Sequence, residues 1–218
     1  DIEVTTNRVD LMSVIGIAQE AAAVLPQFGH SARLLKSALT GLHPVKGHNT
    51  AQKVNYLQAK VDPDLCLRFS AILIRNVSIK SSPEWFTKRL QLAGMRSLNN
   101  VVDISNYLMH ELGQPVHTFD YDKISGHKMT LRESRKGEKI TTLDGKTHTL
   151  LGGDIVIEDG KGRLIDLCGI MGGKLSEVDE STQRAVLFVQ TYNPKNIRRT
   201  SLYTQERTLA AQIFEKQP

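Results

Sequence analysis

Asn99–Tyr121 reads NNVVDISNYLMHELGQPVHTFDY. Val101, Ile104, Leu108 and Leu112 recur at three- and four-residue steps, which predicts a helix over Val101–Leu112 with those four residues inward. Gly113 and Pro115 stop it. Beyond Phe119 the period changes and the chain becomes mostly β. Met129–Glu133, Lys139–Thr142, Asp154–Glu158, Arg163–Ile170 and Ala185–Thr191 read as strands. Leu143–Lys146 reads as a hairpin turn, with Asp144-Gly145 supplying positive φ angles. Helical pieces over Lys195–Leu202 and Arg207–Lys216 follow. A helix passing into many short strands predicts an α+β fold: a largely antiparallel sheet with flanking helices.

Upstream, Val54–Val61 and Cys66–Ile79 read as further strands. Ser82-Pro83 opens a helix, Ser as cap and Pro at its first position, with Trp85, Leu90 and Leu92 burying it and Gly94 closing it. Residues 1–26 carry an amphipathic helix capped by Asn7 or Asp10 and ended by Pro26 and Gly29. A second helical pattern covers Ser31–Leu42, and the polar stretch 43–52 reads as a linker.

With 218 residues and 40% hydrophobic content, the chain can bury one ordinary core. No run reaches the roughly 18 apolar residues of a membrane span. The start lacks an initiator Met and the features of a signal peptide, so an internal piece of a longer cytoplasmic protein is expected. Cys66 and Cys168 have no Cys or His at ligand spacing, which argues against a disulfide framework or zinc site. The net charge of +5 fits a polyanionic partner but does not require one.

Gly169-Ile170-Met171-Gly172-Gly173-Lys174 fails the phosphate-loop spacing, because residue 168 is Cys and residue 175 is Leu. A tight turn where backbone approaches something closely is the better reading. His110 and His117, with Glu111 between, lack the further ligands of a metal site. Lys195, Arg198 and Arg199 form a basic patch that suits either solvent or nucleic-acid phosphate. No Gly-x-Ser-x-Gly elbow is present. The residues alone reach a mildly basic α+β domain and no reaction.

Five strings go further: DIEVTTNRVDLMSVIGIAQEAAA (1–23), the Asn99–Tyr121 stretch, Thr142-Leu143-Asp144-Gly145, CGIMGGKLSEV (168–178) and IRRTSLYTQERTLAAQIFEK (197–216). In order and spacing they resemble the β subunit of bacterial-type phenylalanyl-tRNA synthetases. The resemblance implies that residues 1–45 end a preceding module and linker, and that 46–218 form the editing module, which hydrolyses Tyr-tRNA-Phe. It implies an α-subunit partner in an α2β2 assembly, tRNA-Phe as substrate carrier, and no membrane. It implies no cofactor in this segment, with ATP and Mg at the α-subunit synthetic site. An apolar synthetic pocket rejects an added hydroxyl by only about 100-fold, so a second pocket that requires the hydroxyl is chemically sensible.

Residue by residue, the resemblance implies His117 and Arg96 as catalytic groups. It implies Ser105, Asn106, Gln114, Pro115, Gly172, Phe188, Thr208 and Ala210 as substrate-binding positions, and Gln190 joins them by its place on the strand face of Phe188. His117 would orient or deprotonate water, its ordinary pKa lying near 6.5. One departure matters: the family's Glu for the tyrosine hydroxyl falls on Phe188, with Gln190 two residues on along the same strand face. Arg207–Ala211 also departs, with Leu209 and Ala211 in the family's R-T-E-A-S string. An attenuated, altered or dead pocket all remain open, so a structural, tRNA-binding module stands as the alternative to an active hydrolase. A free-standing aminoacyl-tRNA or RNA-binding domain is a third reading.

Overall fold

Ser13 caps the first helix. Its hydroxyl accepts from the Gly16 amide at 3.0 Å, opening α1 (Val14–Val24). The expected cap, Asn7 or Asp10, is displaced because a 3-10 turn over Val9–Met12 comes first. The Asp10 carboxylate instead meets Arg8 at 2.8 Å, and Arg8 also binds Glu20 at 2.7 Å. A turn over Leu25–Phe28 ends at Gly29, whose φ of 79° needs glycine. A computed structural model describes residues 2–35 and 56–216. Ser31–Leu35 is not helical; the rest of the second helical pattern, the 43–52 linker and the 45/46 boundary lie outside the described residues.

Ten strands follow among the described residues: β1 (Gln58–Val61), β2 (Cys66–Ile74), β3 (Val116–Asp120), β4 (Lys128–Glu133), β5 (Lys139–Thr141), β6 (Thr147–Thr149), β7 (Ile155–Glu158), β8 (Leu164–Leu167), β9 (Met171–Gly172) and β10 (Ala185–Tyr192). They form a five-stranded sheet β1-β4-β7-β8-β9, a three-stranded sheet β2-β10-β3 and a β5-β6 hairpin. Every pairing is antiparallel except β1 with β4, so the α+β expectation stands. In the hairpin turn only Gly145 has positive φ, at 83°. Asp144 contributes differently: its carboxylate accepts from the Thr142 hydroxyl at 2.6 Å.

Along β10, Val186, Phe188, Gln190 and Tyr192 face inward, as period two dictates. Val186 and Phe188 join Phe119, Met129, Leu131, Ile157 and Ile165 in one core shared by the two larger sheets. Ile197 from α4 (Pro194–Thr204) and Phe214 from α5 (Leu209–Phe214) close it.

Two helices depart from their expected faces. In α2 (Glu84–Leu92) Pro83 occupies the cap position with no side-chain bond, because the Ser82 hydroxyl donates to Asp103 at 2.6 Å. Leu90 is buried, but Trp85 and Leu92 are exposed: contact with the next helix runs through Phe86, stacked on Tyr107 at 4.7 Å. In α3 (Asn100–Leu112) Ile104 and Leu112 are exposed, while Asp103, Ser105 and Met109 are buried. Asp103 turns inward because it accepts from Ser97 and the Leu98 amide in the preceding loop.

Candidate functional site

β3 begins three residues after Gly113, whose φ of 75° ends α3. The helix-to-strand reversal puts His117 directly opposite Phe188 in the β3–β10 ladder. The imidazole meets Phe119 edge-on, with ring centroids 4.5 Å apart. It lies so close to Gly172 that a Cβ there would fall 2.4 Å from its Cε1 and 2.5 Å from its Nε2. The close backbone approach expected of the glycine-rich string is therefore an approach to an imidazole. Burial lowers the His117 pKa to about 4, so the ring is neutral at pH 7. No described side chain or backbone group hydrogen-bonds to it, and both ring nitrogens remain available.

On one side of His117 lies a cleft of about 810 Å³. Arg96, Ser105 and Asn106 line it, as do Lys80, Leu143 and the acidic segment Glu177, Asp179 and Glu180. The wall is held by buried Asp103, which accepts from Ser82 Oγ at 2.6 Å, Ser97 Oγ at 2.5 Å and the Leu98 amide at 2.8 Å. Asn100 ties in the segment after β2: its Oδ1 accepts from the Lys80 amide at 3.1 Å. The Ser105 hydroxyl donates to the Val102 carbonyl at 2.7 Å, leaving its lone pairs for a ligand. Asp179 is held near 2 by Lys123 and Ser181, so it is ionised at neutral pH.

On the other side is a pocket of about 80 Å³, which His117 also lines. Pro115, Gly172, Gln190 and Ala210 border it, with Ile170, Met171 and Phe214 as apolar walls. Asp166 borders it too. Its carboxyl is pushed up to about 7 by burial, with the neighbouring Cys168 thiol drawing it partly back.

The remaining candidates sit outside both cavities. Gln114 donates from Nε2 to the carbonyls of Pro115 and Gln190, at 3.0 and 3.2 Å, and so fixes the start of β3. Thr208 caps α5 by accepting from the Ala211 amide at 3.1 Å, and donates to the Ile170 carbonyl at 3.0 Å. Phe188 is 0% exposed in the core, its ring 4.7 Å from that of Phe69, and offers the pocket no polar atom. The basic patch is partly consumed: Arg199 donates to the Gly152 carbonyl at 2.8 Å, and Arg198 lies 3.8 Å from Glu215.

Sequence reasoning passed over Asp166, Lys80 and the 177–180 acids. A signal for Asp166 existed: it is the lone charged residue in the apolar run Leu164-Ile165-Asp166-Leu167-Cys168.

A family model described as the B3/4 domain matches residues 65–217. The phenylalanine–tRNA ligase beta subunit of Geobacter sulfurreducens is 40% identical over 218 residues. That of Carboxydothermus hydrogenoformans is 38% identical over 216. Each alignment covers 99% of this chain and 26% of the relative, so the chain spans about a quarter of their length. A crystal structure of an N-terminal fragment of the phenylalanyl-tRNA synthetase beta-subunit from Pyrococcus horikoshii overlays with a TM-score of 0.47 at 16% identity, over 95% of this chain and 59% of that one. With the family match running from the first residues of β2 to the end of α5, the chain belongs to the B3/4 domain family, in a sequence similar throughout to phenylalanine–tRNA ligase beta subunits.

Proposed function

We propose that this domain is the editing module of a phenylalanine–tRNA ligase beta subunit and hydrolyses the ester joining tyrosine to tRNA-Phe. The observation that carries the reading is the position of His117, on the boundary between a large polar cleft and a small apolar pocket. An aminoacyl-tRNA terminus has matching parts: a bulky polar nucleotide, a compact side chain, and the ester between them. With the terminal nucleotide in the cleft and the side chain in the pocket, the ester lies against the imidazole.

A ring that titrates near 4 is a weak base at neutral pH, so its contribution is orientation. A neutral imidazole nitrogen accepts a hydrogen bond from water and aims its oxygen at the ester carbonyl. The products are free tyrosine and the ribose hydroxyl. Positioning of this kind converts a bimolecular attack into an effectively unimolecular one. Lys80 and Arg96 supply positive charge for the terminal phosphates. In this reading the α subunit and tRNA-Phe are the partners, and ATP and Mg2+ serve the synthetic site on the α subunit. Protein synthesis sets the compartment as the cytoplasm; no described helix is long and apolar enough to cross a membrane.

The test is deacylation of Tyr-tRNA-Phe by the assembled ligase carrying this chain, beside His117→Ala. Hydrolysis slowed at least about 10-fold by the substitution supports the reading. Hydrolysis absent in the unsubstituted enzyme leaves a scaffold that binds tRNA and refutes it.

A further inference from the structure

We infer that Asp166, with Gln190 beside it, selects the side chain: the small pocket takes an aromatic ring ending in a hydroxyl and disfavours the same ring without one. The inference rests on the hydrolytic reading above and names the specificity of that site.

Most of the pocket suits a flat apolar group. Ile170, Met171, Ala210 and Phe214 supply its walls, and Gly169 and Gly172 add no side chains. Besides His117, two polar side chains break this surface, Asp166 and Gln190, and each is only 4% exposed. The Asp166 carboxyl accepts no hydrogen bond from a nitrogen or oxygen donor among the described residues. Gln190 Oε1 is buried without a partner. Native interiors rarely leave such atoms unpaired, because an unmatched buried acceptor is destabilising. Here two acceptors from different sheets, on β8 and β10, line one cavity large enough for part of a ligand and, His117 apart, otherwise apolar.

A phenolic hydroxyl satisfies this arrangement with one donor and two lone pairs. A phenyl ring fills the same apolar space and leaves both acceptors unmatched. A site built to hydrogen-bond a hydroxyl rejects the analogue lacking it far better than an apolar pocket rejects an added one. Phe188, on the strand next to His117, supplies no polar atom, so the carboxyl at this pocket comes from β8 instead. Burial leaves Asp166 near 7, and a hydroxyl donating to it favours its ionised form.

The experiment compares stable amide analogues, 3′-tyrosylamino- and 3′-phenylalanylamino-3′-deoxyadenosine, binding to the assembled ligase. The tyrosyl analogue is expected to bind roughly 10- to 100-fold tighter, and Asp166→Ala to bring the two within about threefold. Asp166→Ala removes a buried carboxyl whose one side-chain partner is the weak Cys168 thiol donor, so the fold survives it; Asp166→Asn, which keeps a polar group, is expected to fall between. A preference that persists in Asp166→Ala, no preference in the unsubstituted enzyme, or binding of neither analogue overturns the proposal. Deacylation measured in parallel separates the two readings. A tyrosyl preference lost in Asp166→Ala without any hydrolysis removes the hydrolytic reading alone. Hydrolysis with a preference indifferent to Asp166 removes this inference alone.

Discussion

Gly172→Ala should disable the site through a single steric event. The new Cβ would lie 2.4 and 2.5 Å from Cε1 and Nε2 of His117, and 3.1 Å from Leu143 Cδ1. Relaxed contacts between such atoms fall near 3.5–4.0 Å, so the ring must retreat by about 1 Å. Phe119, edge-on at 4.5 Å, obstructs retreat into the core. The backbone at Gly172 lies in β9 outside the left-handed region, so alanine adds no strain of its own. Overpacking of this kind costs about 1–3 kcal/mol of stability. A 1 Å misplacement of a catalytic group costs roughly 100-fold in rate. Chemical denaturation and single-turnover deacylation read the two effects, and a double-mutant cycle with His117→Ala assigns them. With the imidazole removed, Gly172→Ala should cost less than about 1 kcal/mol and slow nothing further, a coupling of at least about 1 kcal/mol. Additive stability costs, or an unchanged rate in Gly172→Ala alone, would refute the claim that this glycine exists to admit the His117 ring.

Three further outcomes follow from the same geometry. Phe188→Glu places a carboxyl in a fully buried position between Phe69 and Phe119, and should destabilise by roughly 3–5 kcal/mol at pH 8 and less at pH 5, where the carboxyl protonates; urea melts at the two pH values check it. Asp103→Ala leaves Ser82, Ser97 and the Leu98 amide without their acceptor, and should cost about 2–5 kcal/mol with faster hydrogen exchange at Leu98. Asp166 titrates near 7 in the folded state against about 3.9 unfolded, so its contribution to stability falls as pH rises from about 4 through 7. His117, near 4 folded against about 6.5 unfolded, contributes the opposite slope between those values. Asp166→Asn should therefore be more stable than the parent at pH 8 by roughly 2–4 kcal/mol and nearly equal to it at pH 4; equal stability at both would refute the burial of that carboxyl.

Much of the fold was readable because it follows from local period. The alternation in Ala185–Thr191 and the three- and four-residue steps after Asn100 are properties of strand and helix themselves, and the elements formed within a few residues of the expected bounds. Faces were less readable. Val101, Ile104, Leu108 and Leu112 describe an apolar stripe, yet the fold turns Asp103, Ser105 and Met109 inward, Asp103 because Ser82, Ser97 and the Leu98 amide donate to it. Hydrophobic spacing shows that a stripe exists and not what lies against it.

The sequence by itself determined the α+β class, the family-like strings and the presence of His117, Gly172 and Gln190 in a plausible order. Each depends on neighbours along the chain. Tertiary structure alone decided which of them meet. Pairing β3 with β10 sets His117 opposite Phe188, 71 residues away, and pairing β8 with β9 sets Asp166 opposite Gly172. That pairing moved Phe188 into the core, gave Gln114 and Thr208 to the scaffold, and set the Asp166 carboxyl at the border of the small pocket. The physical reason is register: strand contacts are set by sheet pairing between distant segments, and local pattern does not encode which partner a strand will find.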